Sequence, residues 1–319
     1  MLYPLSFEVR DGVADTELSQ AAWVFVPPPG IEPTGTMVCL SGGGFDKHYW
    51  HLEVPGHPGY SFAEHLSELG WVVIALDHLG VGESSDPPGG AVTAERLRNG
   101  NSVAAAQIIE RVRAGTLVDG LGPVKGPFIG AGHSLGAFVT ILVQAGFRTY
   151  DAVCLLGAGL DYSNPFGEIQ GNTLAERMDA SEAIGRKRFG VAPEIQFHRR
   201  PRKNIQHLLY GSDVPVAVLE ADEAVSSRVP VRAAAEVIAP GFGRDEAAVL
   251  EVPVFLGFGE GFFELTRDPR AEPSFYRASP DVTLFVLQGA AHCHNTASTR
   301  VQLWDRISSW GNAVAHSLG

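Results

Sequence analysis

The sequence predicts an α/β fold in which helices cover both faces of a mostly parallel sheet. The first observation is a series of short, continuous apolar runs, which are typical of strands buried on both sides. The second is that helical patterns alternate with these runs, as the crossovers between parallel strands require. The third is the length of 319 residues, which suits one α/β domain that carries a large insertion.

The predicted elements follow one another along the whole chain. The predicted strands comprise residues 6–9, 21–26, 36–40, 71–76, 128–131, 152–156, 252–256 and 282–287. The predicted helices comprise residues 61–69, 93–113 with an interruption near Gly100, the apolar stretch 137–143, and 299–315. Gly70 directly follows the first of these helices, and a glycine there is a common helix stop.

A long connection separates two of the predicted strands. Residues 152–156 and 252–256 are roughly a hundred residues apart, far more than a crossover needs. The segment 162–239 has a helical and polar pattern. We therefore predict a helical cap or lid formed by residues 162–239, inserted over a core that consists of residues 1–161 and 240–319.

Composition and charge narrow the class of protein. A hydrophobic content of 45% and a mean hydropathy near zero are typical of a soluble globular protein with ample core. The net charge of −12 argues against nucleic acids and anionic membrane surfaces as partners. No run approaches the ~20 apolar residues of a membrane span, and the N-terminus has neither the basic start nor the apolar core of a signal peptide.

The cysteines indicate a reducing environment. The chain has 3 cysteines, and both Cys39 and Cys154 lie inside apolar, strand-like runs. An odd number of this kind does not suggest a disulfide framework. We therefore expect a cytoplasmic protein.

The segment Gly132-His133-Ser134-Leu135-Gly136 has the pattern of a strand, a sharp turn and a helix, with serine at the apex. A G-x-S-x-G sequence in this context is the nucleophile elbow. Its glycines leave room around a strained serine backbone, and the following helix directs its free N–H groups toward the reacting centre. Ser134 is thus a candidate nucleophile; an ordinary serine in a glycine-rich turn is the alternative.

Three consecutive glycines, Gly42, Gly43 and Gly44, directly follow the predicted strand 36–40. Glycines leave the main-chain N–H groups accessible to a ligand. Paired with the N–H of Leu135, the N–H of Gly43 or Gly44 would form an oxyanion hole. A flexible turn is the alternative, whereas a phosphate loop is not expected because no Gly-Lys-Ser/Thr sequence follows.

A candidate base follows the last predicted strand. Serine is a weak nucleophile and needs a base with a pKa near neutrality. His292 is the preferred candidate, His294 is the alternate, and a pair of surface histidines is the alternative interpretation. Cys293 lies between them, but no second ligand cluster occurs at metal spacing, so we predict neither a metal nor another cofactor.

A candidate acid is expected between the serine and the histidine. Glu260 and Glu264 both follow the predicted strand 252–256, and either carboxylate could orient the imidazole and stabilise its cation. A solvated loop carboxylate is the alternative for each of them. Asp161, after the strand 152–156, is a third and more distant candidate.

Taken together, these motifs resemble the α/β-hydrolase family. The resemblance rests on residues 132–136, 41–44, 77–84 and 289–292, and it extends from about residue 38 to the C-terminus with the insertion unmatched. It implies an eight-stranded sheet, Ser134 as nucleophile, His292 as base, and a helical cap between the sixth and seventh strands. Dehalogenases and epoxide hydrolases of this fold carry aspartate at the elbow, so Ser134 indicates acyl chemistry instead.

The sequence departs from the family pattern at two places. Ser41-Gly42 stands where the family usually has histidine and glycine. The family acid is usually an aspartate three residues after the glycine that ends the seventh strand, and Phe262 occupies that position here. If the loop carries two extra residues, Glu264 takes the role, so we prefer Glu264 over Glu260.

These features predict a serine hydrolase that cleaves a medium-sized apolar ester, lactone or thioester through an acyl-enzyme. The alternatives are a catalytically weak or inactive ligand-binding protein and a lyase or cyclase that reuses the pocket. The basic segments 185–188 and 198–203 are either a solvated helix surface or a docking site for an acyl carrier or an anionic substrate group. The oligomeric state is not predicted.

Overall fold

The computed structural model describes residues 1–13, 16–161, 168–260 and 266–318. Its strands are β1 (Leu2–Val9), β2 (Leu18–Phe25), β3 (Gly35–Leu40), β4 (Trp71–Leu76), β5 (Phe128–His133), β6 (Ala152–Leu156), β7 (Phe197–His198), β8 (Val229–Pro230), β9 (Val254–Gly259) and β10 (Val282–Leu287). Its α-helices are α1 (Phe62–Glu68), α2 (Ala94–Ala114), α3 (Leu135–Phe147), α4 (Leu174–Phe189), α5 (Gln206–Leu209), α6 (Val216–Ala224), α7 (Val231–Val237), α8 (Arg244–Ala248) and α9 (Arg300–Leu318). Short 3-10 helices occupy Lys47–Trp50, Arg202–Asn204, Pro269–Phe275 and His294–Thr296.

Eight strands form the main sheet in the order β1-β2-β4-β3-β5-β6-β9-β10. The β1 strand pairs antiparallel with β2, and β2 pairs antiparallel with β4. All the pairs from β4 to β10 are parallel. Every residue of β3, β4, β5, β6 and β9 is buried, whereas β1 at the edge shows exposed residues. The predicted fold class, a mostly parallel eight-stranded sheet, is confirmed.

Helices cover the sheet on both faces, and β4 shows how one strand supplies both cores. Val72 and Ile74 belong to the apolar core shared with α2 and α3. Trp71 and Val73 belong to the opposite core, which includes residues of α1 and α9. Because successive side chains of a strand point to opposite faces, a continuous apolar run such as 71–76 is the pattern that a sheet covered on both sides requires.

The connection between β6 and β9 contains most of the remaining elements. It includes α4 to α8 and the small antiparallel sheet of β7 and β8. The α4 helix begins at a capping box, in which Thr173 and Glu176 bond each other's main-chain N–H groups. Arg232 of α7 then binds Asp179 and Glu182 of α4 at 2.7 and 2.9 Å. The part of the predicted cap that the structure describes, from residue 168 on, is thus largely helical.

The predicted interruption of the second helix is wrong. The α2 helix runs without a break from Ala94 to Ala114, although Gly100 lies in its interior. A Cβ at Gly100 would lie 2.8 Å from Cδ1 of Leu79 and 3.2 Å from Oε1 of Gln20. The glycine therefore allows the helix to pack closely against the sheet. Within the described ranges, no helix is both long and apolar enough to cross a membrane.

Candidate active site

Ser134 lies at the junction between β5 and α3 with an unusual backbone. Its φ is 52° and its ψ is −118°, which is a strained region for a residue with a side chain. The Ser134 N–H donates to the carbonyl of Leu156 at 2.8 Å, and the Ser134 carbonyl accepts from the N–H of Ala137 at 3.0 Å. The neighbouring strand and the first turn of α3 thereby hold the serine in this conformation.

The two glycines of the elbow lie so close to neighbouring main-chain atoms that neither position has room for a side chain. A Cβ at Gly132 would lie 2.4 Å from the carbonyl oxygen of Gly136. A Cβ at Gly136 would lie 2.2 Å from the carbonyl oxygen of Leu40. Both neighbours are main-chain atoms, one in α3 and one in β3, so neither can move aside as the end of a flexible side chain could. The G-x-S-x-G pattern is therefore a direct requirement of the packing between α3, β5 and β3.

The candidate oxyanion loop turns sharply after β3. The N–H of Phe45 donates to the carbonyl of Gly42 at 3.1 Å, and Gly44 has a φ of 86°, which favours glycine. The Gly44 carbonyl accepts from the N–H of Ser227 at 3.0 Å and from Nη2 of Arg202 at 3.2 Å. Gly43 and Leu135 line the cavity that Ser134 faces, whereas Gly44 is bonded to the insertion through its carbonyl.

A buried histidine fixes the start of this loop. Nε2 of His78 donates to the carbonyl of Ser41 at 3.0 Å, and Nδ2 of Asn101 donates to Nδ1 of His78 at 3.1 Å. Burial lowers the pKa of His78 to about 4, so the ring is neutral and one nitrogen donates while the other accepts. Asp77 closes the same turn by accepting from Nζ of Lys47 at 2.8 Å.

His292 lies beside the elbow and is held by main-chain contacts on two sides. The side chain is buried and lines the same cavity as Ser134. Its carbonyl accepts from Nε2 of His133 at 2.8 Å. The N–H of His292 donates to the carbonyl of Leu208 at 3.5 Å, and the N–H of Cys293 donates to that of Leu209 at 2.7 Å. The elbow and the insertion therefore both position this segment.

The alternate base His294 has a different environment. It is fully buried, and its ring centroid lies 5.5 Å from that of His133 and 6.4 Å from that of His292. The residues that line the cavity include His292 and not His294. No group of three or more potential metal ligands occurs in the part of the chain that the structure describes.

The structure describes two of the three candidate acids, Asp161 and Glu260. Glu264 lies outside the described residues. Glu260 is exposed, and its Oε2 accepts from the N–H of Gly289 at 3.1 Å, so it anchors the start of the loop that carries His292. The main-chain N–H of Asp161 donates to Oε1 of Glu272 at 2.8 Å, which ties Asp161 to the Pro269–Phe275 segment.

His133 is a site residue that the sequence interpretation did not single out. Its ring stacks on that of Tyr49 with a centroid distance of 4.3 Å and an interplanar angle of 15°. Burial, together with the nearby His292 and His294, lowers the pKa of His133 well below its usual value. The ring is therefore neutral and donates from Nε2. Its position directly before the elbow serine was the available signal.

A cavity that is open to solvent at its mouth lies between the sheet and the insertion. Most of its lining is apolar and comes from the insertion, for example Ile184, Val229 and Ile238. Ser134 and His292 contribute to the lining from the core. A concave, mainly apolar site with a few convergent polar groups is typical of small-molecule binding.

The two basic segments contribute more to internal bonding than a solvated surface would. Nε of Arg186 donates to Glu182 at 2.8 Å, and Nε of Arg199 donates to Ser226 at 2.9 Å. Arg202 is buried, donates to Asp222 and Gly44, and lies 3.7 Å over the ring of Phe45. Lys187 and Lys203 are exposed.

Comparison with solved structures shows many proteins of the same fold. An esterase from Thermogutta terrifontis has a TM-score of 0.62 at 16% identity, covering 98% of this chain and 99% of its own. A monoacylglycerol lipase from Paleococcus ferrophilus has a TM-score of 0.63 at 17% identity, covering 94% and 100%. An enol-lactonase from Burkholderia xenovorans LB400 has a TM-score of 0.60 at 15% identity, covering 93% and 96%.

Comparisons of the sequence give a family but no individual relative. No curated protein matches the chain. The sequence model described as the alpha/beta hydrolase family matches residues 37–302, a range that contains the glycine loop, the elbow serine and the histidine loop. The protein therefore belongs to the alpha/beta hydrolase family.

Proposed function

We propose that the protein is a serine hydrolase that cleaves a carboxylic ester, lactone or thioester through an acyl-enzyme. The observation that carries this proposal is the arrangement around one cavity. Ser134, strained at the elbow, shares the cavity with His292 and with the main chain of Gly43 and Leu135. These are the parts that nucleophilic acyl transfer needs: a nucleophile, a base and N–H groups for the oxyanion.

The proposed reaction has two halves. Ser134 attacks the substrate carbonyl while His292 takes the hydroxyl proton, and the N–H groups of Gly43 and Leu135 bind the oxygen that becomes negative. His292 then gives the proton to the leaving group. In the second half His292 deprotonates a water molecule that attacks the acyl carbonyl, and His292 returns this proton to the Ser134 oxygen as the acyl group leaves.

For the third member of the triad we propose Glu264. The reasons are its place after β9 and the exposure of Glu260, whose carboxylate already binds the N–H of Gly289. A carboxylate in this role orients the imidazole and stabilises its cation, and it does not itself take up the proton.

The lining of the cavity supports a proposal for the substrate class. Its apolar lining suits a medium-sized apolar acyl or alcohol group. The solved structures of similar fold include an esterase, a monoacylglycerol lipase and an enol-lactonase, which agrees with an ester or lactone. A thioester delivered by an acyl carrier is a narrower proposal, supported by the exposed Lys187 and Lys203. We place the reaction in the cytoplasm, as the cysteine usage suggests.

Labelling and turnover test the proposal together. A fluorophosphonate probe should label wild-type protein on Ser134, and a 4-nitrophenyl ester should give a burst of nitrophenol. Ser134→Ala should lose both responses while keeping the wild-type melting temperature. Hydrolysis retained by Ser134→Ala would contradict the mechanism. Silence of the wild-type protein in both assays would favour the ligand-binding alternative.

A further inference from the structure

Arg200 has an unusual position on the wall of the cavity. It lines the same space as Ser134 and His292. Its guanidinium lies 3.8 Å over the ring of Phe189, and its Nε is buried without a hydrogen-bond partner. Among the ion pairs and hydrogen bonds between described residues, none involves the Arg200 guanidinium. The aromatic ring supports the guanidinium plane from one side and leaves its edge available.

The other charges on the cavity wall are already compensated. Glu182 and Arg186 form an ion pair at 2.8 Å, and Glu182 also binds Arg232 at 2.9 Å. Arg232 is further bound to Glu236 at 2.7 Å. Glu182 and Arg186 therefore balance each other on the lining, and Arg200 contributes the excess positive charge.

Arg200 keeps its charge in this environment. Burial, with a smaller contribution from the nearby Arg188, lowers the pKa of Arg200 to about 10, so the side chain is protonated at neutral pH. A partly desolvated cation without a carboxylate partner is unfavourable by itself. Such groups occur preferentially where a ligand supplies the missing charge.

We infer that Arg200 binds an oxyanion, a carboxylate or a phosphate, carried by the small-molecule substrate on the part that lies against the insertion. This inference rests on the proposed function for the identity of the cavity as a substrate site. A guanidinium presents two parallel N–H groups to one carboxylate or phosphate, and this arrangement gives both affinity and orientation. The substrate would then be an ester, lactone or thioester with an apolar body and a negatively charged end.

A matched pair of esters tests the inference by turnover. Mono-(4-nitrophenyl) adipate ends in a carboxylate, whereas methyl 4-nitrophenyl adipate has the same chain with a neutral end. We expect wild-type protein to favour the anionic ester in kcat/KM by roughly tenfold or more, the usual value of a hydrogen bond to a charged group. Arg200→Gln should bring this ratio close to one, mainly by losing activity on the anionic ester.

Two further variants keep the result specific to Arg200. Arg10→Gln removes the same charge from an exposed position directly after β1 that does not line the cavity, and its ratio should stay within about twofold of wild type. Arg200→Lys keeps the charge but loses the two parallel N–H groups of the guanidinium, so this variant should retain an intermediate preference for the anionic ester. Melting temperatures identify any variant that fails to fold. An equal preference in wild type and Arg200→Gln would overturn the inference.

A binding experiment separates this inference from the proposed chemistry. Hexanoate, hexyl phosphate and hexanol are titrated calorimetrically into Ser134→Ala and into Ser134→Ala/Arg200→Gln. At least one of the two anions should bind more tightly than hexanol, and its affinity should fall roughly tenfold without Arg200; the tighter of the two identifies the group. If Arg200→Gln leaves all three affinities unchanged, the anion site is absent. If no ester is hydrolysed but this pattern holds, only the proposed reaction fails.

Discussion

Nε2 of His133 lies 2.8 Å from the main-chain carbonyl oxygen of His292. The residue that precedes the proposed nucleophile thus holds the backbone of the proposed base, although 159 positions separate them in the chain. Since this contact joins the carboxyl end of β5 to the loop after β10, it fixes the spacing between the two halves of the site.

We predict that His133→Phe lowers kcat several-fold to about tenfold and leaves KM within about twofold, the range expected for one lost hydrogen bond. Phenylalanine can still stack on Tyr49 but cannot donate to His292, so the base is less well oriented. The measurement is steady-state hydrolysis of a 4-nitrophenyl ester across pH, together with the melting temperature. An unchanged kcat and pH profile would show that the contact has only a structural role.

The two glutamates after β9 should differ in their effect on the rate. We expect Glu264→Gln to lower kcat by about 10³–10⁴, as loss of the triad carboxylate does. Glu260→Gln should lower kcat less than about tenfold, because the amide oxygen can still accept from the N–H of Gly289. Single-variant kinetics with one activated ester decide between them. The opposite order would assign the acid to Glu260.

The elbow glycine should be far more sensitive to a methyl group than a glycine in open space. In Gly136→Ala the added Cβ would meet the Leu40 carbonyl at 2.2 Å, and we expect destabilisation of about 3 to 5 kcal/mol or failure to fold. Gly185→Ala is the control. Apart from its chain neighbours and the backbone of its own helix, no described heavy atom lies within 4 Å of its Cβ position. Since the residue lies inside α4, a gain of about 0.5–1 kcal/mol is expected. Urea unfolding measures both, and equal effects would contradict the packing argument.

His78 should make the protein less stable as the pH falls from about 6.5 toward 4. Above about pH 6.5 the His78 ring is largely unprotonated in both the folded and the unfolded state. Between this pH and about 4 the unfolded chain binds a proton, whereas the folded state, whose His78 pKa is lowered to about 4, does not. The free energy of unfolding therefore decreases on acidification, by about 2 kcal/mol from this residue between pH 7 and 5.

The measurement is urea unfolding of wild type and His78→Gln at pH 7 and 5. Burial also lowers the pKa of His133, so both proteins should lose some stability, and the contribution of His78 is the difference between them. A loss of stability that is the same in both proteins would contradict the assignment.

The continuous apolar runs predicted the central strands closely. The bounds of β4 and β6 agree with the predicted residues 71–76 and 152–156, because burial on both faces leaves no polar residue in the run. The edge strand β10 also has its predicted bounds, 282–287, although it contains Thr283 and most of its residues are only partly buried. The edge strand β1 was predicted only from residue 6, although it begins at Leu2. Alternating exposure and Pro4 weaken the apolar signal at its start.

Glycine was the main source of error in the local predictions. Gly100 was expected to interrupt α2, but it lies where the helix packs against Leu79. This role of the glycine becomes visible only when the residue that it contacts is known. Similarly, β9 continues to Gly259 beyond the predicted end at residue 256, since Gly257 and Gly259 read as turn residues in isolation. A sequence pattern does not show which neighbouring residue occupies the space that a glycine leaves free.

The candidate-site residues that the sequence indicated belong to motifs that are local in the chain. Residues 132–136 and 42–44 each form one turn, and the elbow glycines are required in addition by the close packing of Gly136 against Leu40. The donor role of His133, the bond from Arg202 to Gly44 and the uncompensated charge of Arg200 depend on contacts across the sheet and the insertion. Such long-range contacts have no periodicity or spacing in the sequence that would predict them.

The main-chain N–H groups of His292 and Cys293 donate to the carbonyls of Leu208 and Leu209, and these bonds restrict how substrates can reach the cavity. We expect opening at this edge of the insertion to displace the segment that carries the proposed base, His292, and so to interrupt the proposed reaction. Substrate and product should therefore enter and leave the cavity on the side of α4. Changes in loop length should also be better tolerated there than around residues 205–210.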